Sequence, residues 1–152
     1  MASNRVAIAE DKIDFIKKLT DSSESVFETM ADCLSFAAVL GYKHGKHPSL
    51  KKKAKDPIQY NIFESRKYDT LFHLIAMNVE NDAHILAADQ NNKRIEIFEE
   101  FANGGLEILK NRILDSDDPL EPLLSIIQNE STLSTEGDQD TISLDLSQLK
   151  ID

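Results

Sequence analysis

The residues best suited to chemistry in this chain lie between positions 42 and 57. Six lysines (Lys43, Lys46, Lys51, Lys52, Lys53 and Lys55) share that stretch with His44 and His47. Ammonium groups that neutralise phosphates release condensed counterions, so the pattern predicts contact with nucleic acid through these eight side chains. Gly45, Pro48 and Pro57 work against a helix here and leave backbone N–H groups as additional donors. The plainer reading is a solvated charged loop that pairs with an acidic surface on this protein or a partner.

Other constellations are weaker. His44 and His47 have a spacing that could share one metal, but no second Cys/His pair follows, so no metal site is expected. Cys33 sits among Leu34, Phe36 and Ala37, which predicts a buried, inert thiol. Glu99–Glu100 and Asp117–Asp118 are adjacent pairs, which point about 100° apart on a helix and read as solvated faces. The run Gly41 to Lys46 lacks the Gly-Lys-Ser/Thr ending of a phosphate loop. No catalytic residue and no cofactor are assigned, and the chain reads as a non-enzyme. A nuclease would need carboxylates and a lysine around a divalent ion, and no such cluster is legible.

The elements that must position these groups are helical. Apolar residues recur at three-to-four spacing from about Asp11 to Leu19, Ser23 to Leu40, Lys67 to Val79 and Ile95 to Leu114. Shorter helices are expected at Ile85–Ala87, capped by Asn81 or Asp82, and from Pro119 through Ile127. Residues 58–62, with Ile58, Tyr60 and Ile62 alternating, predict one short extended segment, and Asp89 to Asn92 a loop. Gly104-Gly105 lies inside a long helical pattern, where two glycines cost roughly 2 kcal/mol relative to alanine. Either the helix breaks there or another backbone approaches closely. The fold class is therefore all-α. Residues 1–129 form a single helical domain carrying an exposed basic loop at 42–57, and 130–152 a disordered acidic tail. In that tail Ile142, Leu144 and Leu146 alternate well enough to add a strand to a partner's sheet, and are the partner-binding candidates.

Charge follows the same division. The 152 residues carry a net −10, but residues 43–67 alone carry +6 and residues 113–152 carry −9. The total argues against nucleic acid, whereas the distribution does not. It also lets the tail compete with DNA for the basic loop as a polyanion mimic. With Cys33 as the sole cysteine, no internal disulfide forms and a reducing cytoplasm is expected. Charged residues interrupt the first twenty positions, and no run reaches the ~18–20 apolar residues that cross a bilayer. No membrane association is expected, and homo-oligomerisation is left open.

Two long segments carry a resemblance. The run FETMADCLSFAAVLGYKHG (Phe27 to Gly45) and the run RIEIFEEFANGGLEIL (Arg94 to Leu109) resemble the small accessory proteins associated with dnd (DNA phosphorothioation) systems. With the residues between, the resemblance covers roughly residues 5–114. It implies a setting beside enzymes that put sulfur into the DNA backbone and restriction proteins that attack unmodified DNA, and it implies no catalytic residues. The expected function is thus a non-enzymatic accessory or regulatory component of a bacterial anti-phage modification–restriction system, touching DNA or a DNA-bound partner through the basic loop. The alternative is a protein–protein adaptor for a larger subunit of that system, without DNA contact.

Overall fold

The computed structural model describes residues 4–20, 25–113 and 120–137. The expected partner-binding residues Ile142, Leu144 and Leu146 lie outside the described residues. The chain divides into two units, Met1–Leu114 and Asp115–Asp152. Six α-helices and one two-stranded sheet are present among the described residues: β1 (Arg5–Val6), α1 (Ile13–Thr20), α2 (Met30–Lys43), β2 (Ile58–Gln59), α3 (Tyr60–Ser65), α4 (Asp69–Glu80), α5 (Asn91–Ile113) and α6 (Leu120–Gly137). The mainly helical class read from periodicity is the observed one. α6 runs on to Gly137, through residue 129 where composition placed the start of the tail.

The core of the first unit is built on α5. Phe72 of α4 and Phe98 of α5 stack at 3.8 Å between ring centroids, and Phe63 of α3 meets both edge-on at 5.3 and 5.6 Å. All three rings are fully buried. Such aromatic pairs add stabilisation beyond the area they remove from water. On its other side α5 meets α2, and there glycine decides the geometry. A Cβ on Gly41 would collide with the Phe101 carbonyl, and one on Gly105 with the Ala37 carbonyl. Gly41 and Gly105 thus let the two helix backbones touch. Of the two readings open for Gly104-Gly105, close approach is the observed one, and α5 continues unbroken through both residues.

Several boundaries depart from the periodic pattern, each for a local reason. α2 begins at Met30 rather than near Ser23, because Thr29 and Asp32 form a reciprocal capping box (N–H to side-chain oxygen at 3.2 and 3.1 Å). Val26 and Phe27 instead direct their N–H groups to the Leu19 carbonyl at the end of α1. Asp32 also accepts from the Tyr68 hydroxyl at 2.6 Å and from Arg66 at 3.2 Å, tying the start of α2 to the α3–α4 turn. Burial works to raise the Asp32 carboxyl, but these donors outweigh it and hold the group below its ordinary value. The expected loop at Asp89–Asn92 is a 3-10 turn, Ala88–Gln90, followed by the first residues of α5. There the buried Arg94 reaches back to the carbonyls of Ile85 and Ala87 at 2.7 and 2.8 Å. The extended segment expected over 58–62 is confined to Ile58–Gln59, since α3 begins at Tyr60.

The contact at Gly105 yields a test of the fold. In an exposed helix Gly→Ala stabilises by up to about 1 kcal/mol. Gly105→Ala is expected to reverse that sign and cost about 1–3 kcal/mol or more by overpacking, read as a lower urea midpoint. A midpoint equal to or above the parent's would show that α2 and α5 do not touch here.

Candidate nucleic-acid interface

The basic segment is not a free loop. Tyr42 and Lys43 form the last turn of α2, and His44 closes it with an N–H to the Leu40 carbonyl at 3.1 Å. The chain then crosses over α5 at Gly104, where an added Cβ would strike the Lys46 carbonyl and approach the Pro48 ring. Lys46 N–H turns back to the Gly41 carbonyl at 2.8 Å, and the buried Asn103 donates its amide to the Pro48 carbonyl at 3.2 Å. His47 lies on the Phe101 ring at 4.8 Å, with Tyr42 edge-on to the same ring at 5.6 Å.

Beyond the crossing, the chain pairs with the N-terminal segment. Arg5 opposes Gln59 and Val6 opposes Ile58 in the antiparallel β1–β2 ladder, and Ala9 forms an isolated bridge with Lys53. Between these points, Pro57 and its neighbours bulge out of register, as proline does at strand irregularities. Glu10 N–H to Lys52 O (2.8 Å) and Ala54 N–H to Ile8 O (2.7 Å) complete the ribbon. This corrects the expectation that the loop's backbone N–H groups are free to donate, since those of Lys46 and Ala54 are spent on the fold.

The eight candidate side chains therefore stand on a fixed backbone. Lys43, His44, His47, Lys51, Lys52, Lys53 and Lys55 are exposed, and Lys46 is half-buried. Lys52 pairs with Glu10 at 3.2 Å and Lys46 with Glu107 at 3.6 Å. Lys51 and Lys55 make no ion pair among the described residues. The ribbon also sorts the lysines. Lys51 and Lys52 border one groove beside α5, together with Lys12 and Lys110, two cations that sequence reasoning did not include. Lys53 borders a second groove of about 500 Å³ with Arg5 and with Glu96, Glu99 and Glu100 of α5.

That second groove revises the reading of Glu99 and Glu100. Adjacent carboxylates do diverge on a helix, but Glu96 at i−3 and i−4 draws all three to one concavity. Glu99 is buried, not solvated, and accepts the Ala7 N–H. Burial pushes its carboxyl above the ordinary 4.5, an effect that the Ala7 N–H and Lys53 oppose and that Glu96 and Glu100 reinforce. Among the described residues no group of three or more His, Cys, Asp or Glu side chains is arranged to hold a metal ion. Cys33 is fully buried, and burial pushes its thiol up to about 12, so no thiolate is available there.

The two grooves lie in the segment where a family model described as DNA sulphur modification system-associated protein 4 also matches, over residues 5–149. The chain belongs to that family. The family is one associated with DNA sulphur modification (dnd) systems. The match runs beyond residue 114, where the recognisable motifs end, and takes in most of the acidic C-terminal stretch. No curated protein and no solved structure matches the chain. No helix among the described residues is long and apolar enough to cross a membrane.

Glu99 supplies a prediction with a definite sign. Its folded-state pKa is raised, so the folded protein holds the proton more tightly than the unfolded chain. The stabilisation is complete below the unfolded value and fades as pH rises through the folded one. Urea midpoints over about pH 4 to 7 should therefore show Glu99→Gln gaining on the parent as pH rises. A constant difference between the two across that range would show that Glu99 does not titrate with a raised pKa.

Proposed function

We propose that this chain is a non-enzymatic accessory component of a bacterial DNA phosphorothioation-linked restriction system acting in the cytoplasm against phage, and that it contacts the DNA backbone through Lys43, His44, Lys46, His47, Lys51, Lys52, Lys53 and Lys55. One observation carries this reading: the exposed lysines stand on a backbone pinned at Gly104, at Asn103 and along the N-terminal segment. A mobile lysine-rich loop must be ordered on binding, whereas a pinned one presents its charges without that cost. Membership of a family associated with DNA sulphur modification supports the setting.

A second reading, an adaptor that docks on a larger subunit of the same system, has its own support. Leu74 and Met77 lie one turn apart on α4 and are 48% and 37% exposed. Apolar side chains grouped in this way suit a protein contact. Ile142, Leu144 and Leu146 extend the same reading to the C-terminal stretch as a strand for a partner's sheet edge.

Titration of duplex DNA against salt tests the first reading. Binding at ~50 mM salt that weakens steeply as salt rises is expected. Absence of binding at ~50 mM, both in the full chain and after removal of residues 131–152, overturns direct contact. Removing that stretch, which carries five of the ten acidic residues of 113–152, should raise affinity at low salt by relieving competition for the lysines. Co-purification with products of neighbouring genes tests the adaptor. Retention of every partner in a Leu74→Asp/Met77→Asp variant and after the same truncation would overturn it.

A further inference from the structure

The groove on the other side of the ribbon has a volume of about 750 Å³, within the range of small-ligand sites. Four lysines line it from three places in the chain. Lys12 comes from the turn before α1, Lys51 and Lys52 from the basic segment, and Lys110 from the last turn of α5. Like charges brought together repel, so each needs a counter-charge. Two have one: Lys12 pairs with Asp11 at 3.1 Å and Lys52 with Glu10 at 3.2 Å. Lys51 pairs with no carboxylate among the described residues, and Lys110 donates only to the Asp11 backbone carbonyl at 3.4 Å.

Lys12 is the unusual member. It is 5% exposed, and an ammonium so far from water is costly unless its protons are used. Two acceptors face it, the Asp11 carboxylate and the Asn103 side-chain oxygen at 3.3 Å, against three N–H donors. Asn103 cannot turn away, because its amide nitrogen holds the Pro48 carbonyl. A fixed, buried cation with a donor to spare therefore lines the same groove as two lysines that form no ion pair, although Lys110 is near enough to Asp11 to help lower its carboxyl.

The carboxylates of the same groove restrict what can enter. Glu10, Asp11 and Glu107 also line it, so the lysines exceed the acids by one charge. One negative charge is enough to neutralise that excess, and a phosphodiester carries one. We propose that this groove seats one phosphodiester of a nucleic-acid backbone, held by Lys51 and Lys110 above Lys12. The proposal rests on the DNA-contact reading and narrows it, because it assigns to Lys12 and Lys110 a contact that the basic segment does not make alone.

The test compares Lys51→Ala/Lys110→Ala with Lys43→Ala/Lys55→Ala, which removes the same charge from lysines that do not line the groove. Duplex affinity is measured across a salt series for both variants and the parent. If Lys51 and Lys110 share one phosphate, their joint loss lowers the log–log salt slope by about 0.9, the value of a single phosphate. Lys51→Arg/Lys110→Arg should keep the parent slope. Duplex binding that is unchanged in Lys51→Ala/Lys110→Ala overturns the seat and leaves the DNA reading standing. A second measurement, independent of duplex binding, titrates the thymidine dinucleotide (one phosphodiester) and follows backbone amide shifts. Shifts at Lys12, Asn103 and Lys110 that vanish in Lys51→Ala/Lys110→Ala support the seat even if duplex DNA does not bind. No shift at these residues in the parent overturns it.

Discussion

The backbone contact between α2 and α5 is the constraint on which the rest of the first unit depends. Helices that carry ordinary side chains at their crossing stay 8–10 Å apart. Gly41 and Gly105 remove the side chains at the crossing and bring backbone onto backbone. Gly104, the preceding residue of α5, leaves a bare stretch of helix over which the Lys46–Pro48 backbone passes. One pair of adjacent glycines thus serves two partners on two sides of one helix. The cost in helix propensity is offset by contacts that no other residue type permits.

The route of the basic segment follows from that crossing. Having passed over α5, the chain is received by the N-terminal segment as a short antiparallel ribbon with a bulge at Pro57. Asn103 and Lys12 bind the crossing point to the turn before α1. The ribbon divides the lysines between two concavities of opposite character. One is lined by four lysines facing three carboxylates, the other by three glutamates facing Lys53 and Arg5. Charge that reads as one block along the chain is therefore two electrostatic environments in space.

The net charge of −10 describes solubility and says little about partners. Local geometry governs which phosphates or carboxylates a surface can accept, because opposed charges a few ångströms apart outweigh a screened total at the ~8–10 Å Debye length of physiological salt. The family match reaches residue 149, so the acidic stretch that dominates the total belongs to the family pattern together with the helical body.

Most of the helical elements were legible in the sequence, because three-to-four periodicity is a local property and α1, α4 and the body of α5 depend on little else. The exposed lysines and the inert Cys33 were legible for the same reason, since residue type and immediate neighbours decide both. The start of α2 was misplaced because a capping box, not apolar spacing, sets it. What only the tertiary structure decided were contacts between residues far apart in the chain. Lys12 and Lys110 join Lys51 and Lys52 across intervals of about forty to a hundred residues, and no periodic pattern encodes such a meeting. Glu99 looked solvated because only packing against the N-terminal segment buries it and gives it the Ala7 N–H. Sequence alone determined which charges exist and which helices carry them. Folding decided which of those charges face each other, because that depends on where two helices with glycine at their crossing let a third strand of chain pass.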